Sequence, residues 1–85
     1  MWGSVVAHAN RVLRSIETGD GGRCVDVFVR PDGTFGFEEY RRDAEDARGW
    51  FPIGFHAGKV YPSEVDAFVA ATQTVAWLPL HNQGH

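Results

Sequence analysis

A chain of 85 residues makes one domain with a single modest core and is too small for two. Hydrophobic residues at 44 % and charged ones at 22 % exclude a disordered chain, and a formal charge of −3 argues against a protein whose main task is to grip a polyanion. The one cysteine, Cys24, excludes an internal disulfide, no apolar run reaches the length of a membrane span, and the N-terminus lacks the basic-then-apolar layout of a secretion signal; a cytoplasmic protein with no membrane association is expected.

Ser4 to Thr18 is predicted to be a helix, with Val5, Ala9, Val12 and Ile16 on one side and Val6 and Leu13 flanking them. Ser4 suits its N-cap, and Gly19 in the run Gly19–Gly22 suits its left-handed C-terminal residue. Arg23 to Arg42 reads as a hairpin. Val25, Val27 and Val29 alternate with Cys24, Asp26, Phe28 and Arg30, and Pro31, Asp32 and Gly33 form a three-residue turn with glycine at its left-handed position. In the return arm Phe35 and Phe37 share a face, and a bulge near Glu38 and Glu39 is expected in order to bring Tyr40 into phase. The mixed charges that follow read as a solvated connection.

Trp50 to His56 is predicted to be a third strand, at the sheet's edge because Pro52 lacks an amide proton, with Phe51, Ile53 and Phe55 on one face. Pro62 and Ser63 announce a last helix to Leu78, with Ser63 and Asp66 in a capping arrangement. That helix has two apolar stripes. Val65, Phe68, Val69, Thr72, Val75 and Ala76 are predicted to lie on the sheet. Ala67, Ala71, Thr74 and Leu78, with Ala70 beside them, are predicted to take either the N-terminal helix or a second copy of the chain. Pro79 stops the helix, and 79–85 is expected to be a frayed tail. The predicted fold is α+β, a three-stranded antiparallel meander flanked by two helices in the order αβββα.

No catalytic spacing emerges. His8, His56, His81 and His85 are scattered, with no Glu or Cys at metal-ligand spacing. Glu38 and Glu39 are adjacent, so in a regular strand they face opposite ways and cannot form an acid–base pair. Cys24 on a strand reads as a small buried hydrophobe. Arg23, Arg30, Arg41 and Arg42 are expected to pair across strands with Asp26, Glu38 and Glu39. No enzymatic activity, cofactor or metal is expected.

Three resemblances bear on function. Thr34 to Tyr40, TFGFEEY, resembles the ribonucleoprotein motif of RNA-recognition domains at Phe35, Gly36, Phe37 and Tyr40, but departs from it at Gly33, Thr34 and Glu38 and lacks the strand–helix–strand unit upstream. The order αβββα is similar to that of double-stranded-RNA-binding domains, yet Glu64 and Asp66 stand where those domains meet phosphate. The meander with its Asp-Gly turn and a helix opened by Tyr61, Ser63 and Ala67 resembles small uncharacterised bacterial proteins with a three-strand-plus-helix unit, a likeness that implies a fold and no activity.

The leading expectation is a small bacterial interaction or regulatory module, non-enzymatic and homodimeric, using Ala67, Ala71, Thr74 and Leu78 with Tyr40 and Trp50 as anchors. One alternative is single-stranded nucleic-acid binding through Phe35, Phe37, Tyr40, Arg41 and Arg42; another is an inhibitor or immunity-type protein.

Overall fold

Residues 10–43 and 49–79 are described by a computed structural model of the chain. They form four strands, β1 (Arg11–Glu17), β2 (Arg23–Val29), β3 (Phe35–Arg41) and β4 (Phe51–Pro52), and one helix, α1 (Glu64–Thr74). The strands lie side by side in chain order, every pair antiparallel. The fold is therefore α+β with an antiparallel sheet, built from one more strand and one helix fewer than αβββα among the described residues.

The predicted N-terminal helix is corrected over Arg11–Glu17, which is an edge strand; Ser4 to Ala9 lie outside the described residues. A register shift between Val12 and Arg14 explains the difference. A bulged strand loses its period of two, and here the half-buried residues, Leu13 and Ile16, fall three apart, as they would on a helix. Gly19 to Gly22 make a hairpin loop instead of a helix end. The Thr18 and Arg23 backbones close it, the left-handed residue is Gly21, and Asp20 accepts from the Thr18 hydroxyl and the Gly22 amide.

The second hairpin follows its sequence signature. Gly33 has φ +88°, its amide donates to Arg30 O, and Arg30 N donates to Thr34 O at 2.8 Å. Asp32 ties the turn by accepting from Thr34 N and Oγ1. From Arg23↔Arg41 to Val29↔Phe35 the register is unbroken, so the bulge expected near Glu38 and Glu39 is absent and the sheet's bulge lies in β1. Without that bulge Tyr40 stays out of phase with Phe35 and Phe37. It stands opposite Cys24 on the face away from Phe35 and Phe37.

β4 stops after Pro52, and Ile53 N donates once more, to Glu39 O. The chain then leaves the sheet and returns at Tyr61, which exchanges both backbone hydrogen bonds with Phe35 at 2.9 Å. Between these anchors β3 advances five residues, from Phe35 to Tyr40, while the facing chain takes nine, from Pro52 to Tyr61. The excess forms a loop beside β3. Ser63 caps α1 by accepting from Asp66 N at 3.1 Å, as predicted, and the helix ends at Thr74, one turn short of Leu78.

The core forms where α1 lies on the sheet: Val25, Val27 and Phe37 beneath, Ala67, Ala71, Val75 and Leu78 above. The predicted division between the two stripes holds only in part: of the stripe predicted for the sheet, Val75 lies in the core and Phe68 packs against it. The small-residue stripe meets the chain's own sheet, where Ala67, Ala71 and Leu78 are fully buried, while Thr74 is exposed. Val65 and Val69, predicted to lie on the sheet, are 69 % and 44 % exposed. Phe37, Phe35 and Tyr61 already supply bulk from below, so only alanines let the helix axis come close enough to fill the core without a void.

Candidate functional site: an acid-floored cleft and a pinned loop

The helix covers one face of the sheet. The other carries Cys24, Asp26 and Phe28 from β2, Gly36, Glu38 and Tyr40 from β3, and Ser15 and Glu17 from β1, placed together by the register pairs Ser15↔Asp26, Glu17↔Cys24 and Cys24↔Tyr40. Here Ser15, Glu17, Cys24, Asp26, Tyr40 and Trp50 line a cleft of about 320 Å³. Ser15 Oγ donates to Asp26 Oδ1 at 2.7 Å, and the Cys24 thiol donates to the same oxygen at 3.2 Å. Burial pushes Cys24 up to about 11, with the Asp26 and Glu17 carboxylates adding to it, so at neutral pH the sulfur is a thiol. Burial also raises the Tyr40 phenol, and the charges of Asp26 and Glu38 reinforce the shift.

Beside β3, the loop from Gly54 to Val60 is held by two side chains of opposite charge. Glu38 is only 4 % exposed, and its carboxylate accepts from the amides of Glu39 at 2.9 Å, His56 at 3.1 Å and Ala57 at 3.3 Å. Arg30 serves the carbonyls, donating to Phe35 O at 3.0 Å, Lys59 O at 3.0 Å and Ala57 O. One acid and one base thus satisfy a backbone that has left the ladder. The His56 ring stacks on Phe37 with centroids 4.9 Å apart. Gly36 leaves the space that the clamp needs, since a Cβ there would lie 2.6 Å from Arg30 Nη2 and 2.9 Å from the Phe28 ring.

At the start of this loop stands Phe55, with φ +56° and 84 % exposed. It was predicted to share a strand face with Phe51 and Ile53, and that is corrected: the strand has ended. A phenylalanine in the left-handed region with its ring in solvent runs against both backbone preference and the hydrophobic effect. Gly54 and Gly58, four residues apart after Pro52, are the sequence signal that this stretch is no continuous strand.

Of the predicted anchors, Tyr40 and Trp50 come together in the cleft, whereas Ala67, Ala71 and Leu78 are used inside the chain. Among the nucleic-acid candidates, Phe37 is fully buried under α1 and Phe35 is half-buried beside it, on the opposite face from Tyr40. Arg41 lies over Phe51, and Arg42 lies over Trp50 at 4.5 Å while donating to Gly21 O. The five share no common surface. Of the predicted cross-strand ion pairs only Arg23–Glu39 forms, at 3.4 Å, on the helix side, where Glu39 also accepts from Trp77 Nε1. Glu38 and Glu39 therefore serve opposite faces, as their adjacency requires.

His8, His81 and His85 lie outside the described residues, among which no group of His, Cys, Asp and Glu is placed to hold a metal ion. No helix among them is long and apolar enough to cross a membrane. Comparisons with protein-family models, with curated proteins and with solved structures find no match.

Proposed function

We propose that this is a small cytoplasmic, non-enzymatic interaction module that docks on a protein partner through the loop carrying Phe55. The observation that supports the reading is the combination at that loop. An aromatic ring is left 84 % exposed on a left-handed backbone, and a buried carboxylate and a guanidinium hold that backbone in place. Strain of this kind costs about 1–2 kcal/mol and gives the isolated chain no packing in return. A rigid aromatic anchor is what a partner's pocket uses, because little conformational entropy is lost on docking.

A second copy of the chain is the simplest partner, although the small-residue stripe of α1 no longer provides the contact. Light scattering over a concentration series, for the parent and for Phe55→Gly, tests this. A dimer that Phe55→Gly dissociates makes the partner a second copy; a monomer directs the search to capture from the host lysate, again with Phe55→Gly as the control. Glycine relieves the left-handed strain and removes a ring that buries little. Phe55→Gly should therefore stay folded, with stability within about 1 kcal/mol of the parent, while partner binding is lost. A loss of about 2 kcal/mol or more, or undiminished binding, would refute the reading.

A further inference from the structure

We propose that the cleft lined by Ser15, Glu17, Cys24, Asp26, Tyr40 and Trp50 binds an alkylammonium group, as a lysine side chain of a partner polypeptide or as a free amine. This site is separate from the Phe55 loop and does not depend on it.

The cleft combines aromatic walls with an acidic floor. Tyr40 and Trp50 supply the two π-surfaces, and Glu17 and Asp26 supply the carboxylates. No lysine or arginine among the described residues lines it. Of the described arginines, Arg23 is engaged on Glu39, Arg30 on the loop carbonyls, and Arg14 on Glu64 at 3.6 Å and over the Phe68 ring. Among the described residues, neither Glu17 nor the second oxygen of Asp26 has a hydrogen-bond or ion-pair partner, and the Tyr40 hydroxyl has none. Asp26 stands directly opposite Glu38 in the β2–β3 register, a like-charge pair that destabilises a sheet unless a cation relieves it. The upward shifts of Cys24 and Tyr40 both carry contributions from these carboxylates, so the negative potential reaches the cleft's own titratable groups.

The neutral groups fit the same ligand. The Ser15 and Cys24 hydrogens already point to Asp26 Oδ1, leaving lone pairs and carboxylate oxygens available for N–H donors. An ammonium group brings such donors, together with a charge that an aromatic face attracts. Trp50 already takes a cation in this way from Arg42, which does not line the cleft. A volume of about 320 Å³ suits one side chain or a small amine and excludes a helix or strand.

The test is a titration of the full ¹⁵N-labelled chain, followed by amide shifts, with Nα-acetyl-lysine methylamide, 1,5-diaminopentane and the neutral isostere Nα-acetyl-norleucine methylamide. Both cations should shift Ser15, Glu17, Cys24, Asp26, Tyr40 and Trp50 to saturation, and the norleucine amide should not. Tighter binding of the lysine amide assigns the site to a polypeptide partner, and tighter binding of the diamine assigns it to a free amine. Asp26→Asn, which keeps an acceptor for Ser15, and Glu17→Gln should each weaken the cation's Kd about tenfold, and Trp50→Leu about fivefold. Equal shifts from the norleucine amide, no shifts at all, or affinities unchanged in folded Asp26→Asn and Glu17→Gln would overturn the proposal.

Discussion

Replacing Glu38 by alanine removes the acceptor that holds the Phe55 loop to the sheet. Three amides lose their partner: Glu39, His56 and Ala57, at 2.9, 3.1 and 3.3 Å. A hydrogen bond to a charged acceptor contributes about 1.5–3 kcal/mol, and the two longer contacts belong at or below the low end, giving a gross loss of about 4 kcal/mol. Two effects offset part of it. The buried carboxylate no longer has to be desolvated, and its repulsion with Asp26 across the strand pair disappears, worth about 0.2–1 kcal/mol. Water also reaches a loop at the sheet's edge. The net cost is about 2–3 kcal/mol, a large share of the roughly 4–13 kcal/mol that stabilises a chain of this size. Urea unfolding at constant m-value measures it, and hydrogen exchange localises it: protection at His56 and Ala57 should vanish while that at Val25 and Val27 follows global stability. Glu38→Gln keeps one oxygen but turns an NH₂ group toward the donors, so it should fall between parent and alanine. A Glu38→Ala chain within about 0.5 kcal/mol of the parent, with the His56 and Ala57 amides still protected, would refute the account of the clamp.

Two further outcomes follow from the core and the cleft. Ala71→Glu places a carboxylate where no solvent reaches, against Val25, Val27 and Phe37, and should unfold the chain by circular dichroism, whereas Val65→Glu at an exposed position should stay within about 0.5 kcal/mol; the reverse ranking would mean that α1 is rotated away from the orientation that buries Ala67 and Ala71. Cys24 is raised to about 11 in the folded chain from an ordinary value of 9.0, so the fold favours the protonated thiol. Its contribution to stability is complete below about pH 9 and is lost as pH rises toward 11. Tyr40 is raised as well and acts in the same direction. Denaturant midpoints across that window should decline less steeply in Cys24→Ala, and an unchanged slope would count against the buried thiol.

The elements whose signals are local were legible in the sequence. Pro31, Asp32 and Gly33 specify their turn through φ preferences and one side-chain acceptor, Ser63 specifies a helix start, and Val25 and Val27 specify a strand face, because each rests on atoms a few residues apart. Tyr40 and Trp50 were recognisable as candidate anchors by type. That they line one cleft was not, since it depends on which face of the sheet the helix leaves uncovered. Three features were decided only by tertiary structure. The bulge in β1 gives a strand the residue spacing of a helix, and only pairing with β2 distinguishes the two. That Ala67 and Ala71 face the sheet while Val65 and Val69 do not depends on how much bulk Phe37, Phe35 and Tyr61 already place under the helix, a volume that no single segment contains. The clamp on the Phe55 loop joins Glu38 to amides eighteen and nineteen residues away and Arg30 to carbonyls twenty-seven and twenty-nine away. Such contacts leave no periodic trace in the sequence, because their geometry arises only when the sheet has assembled.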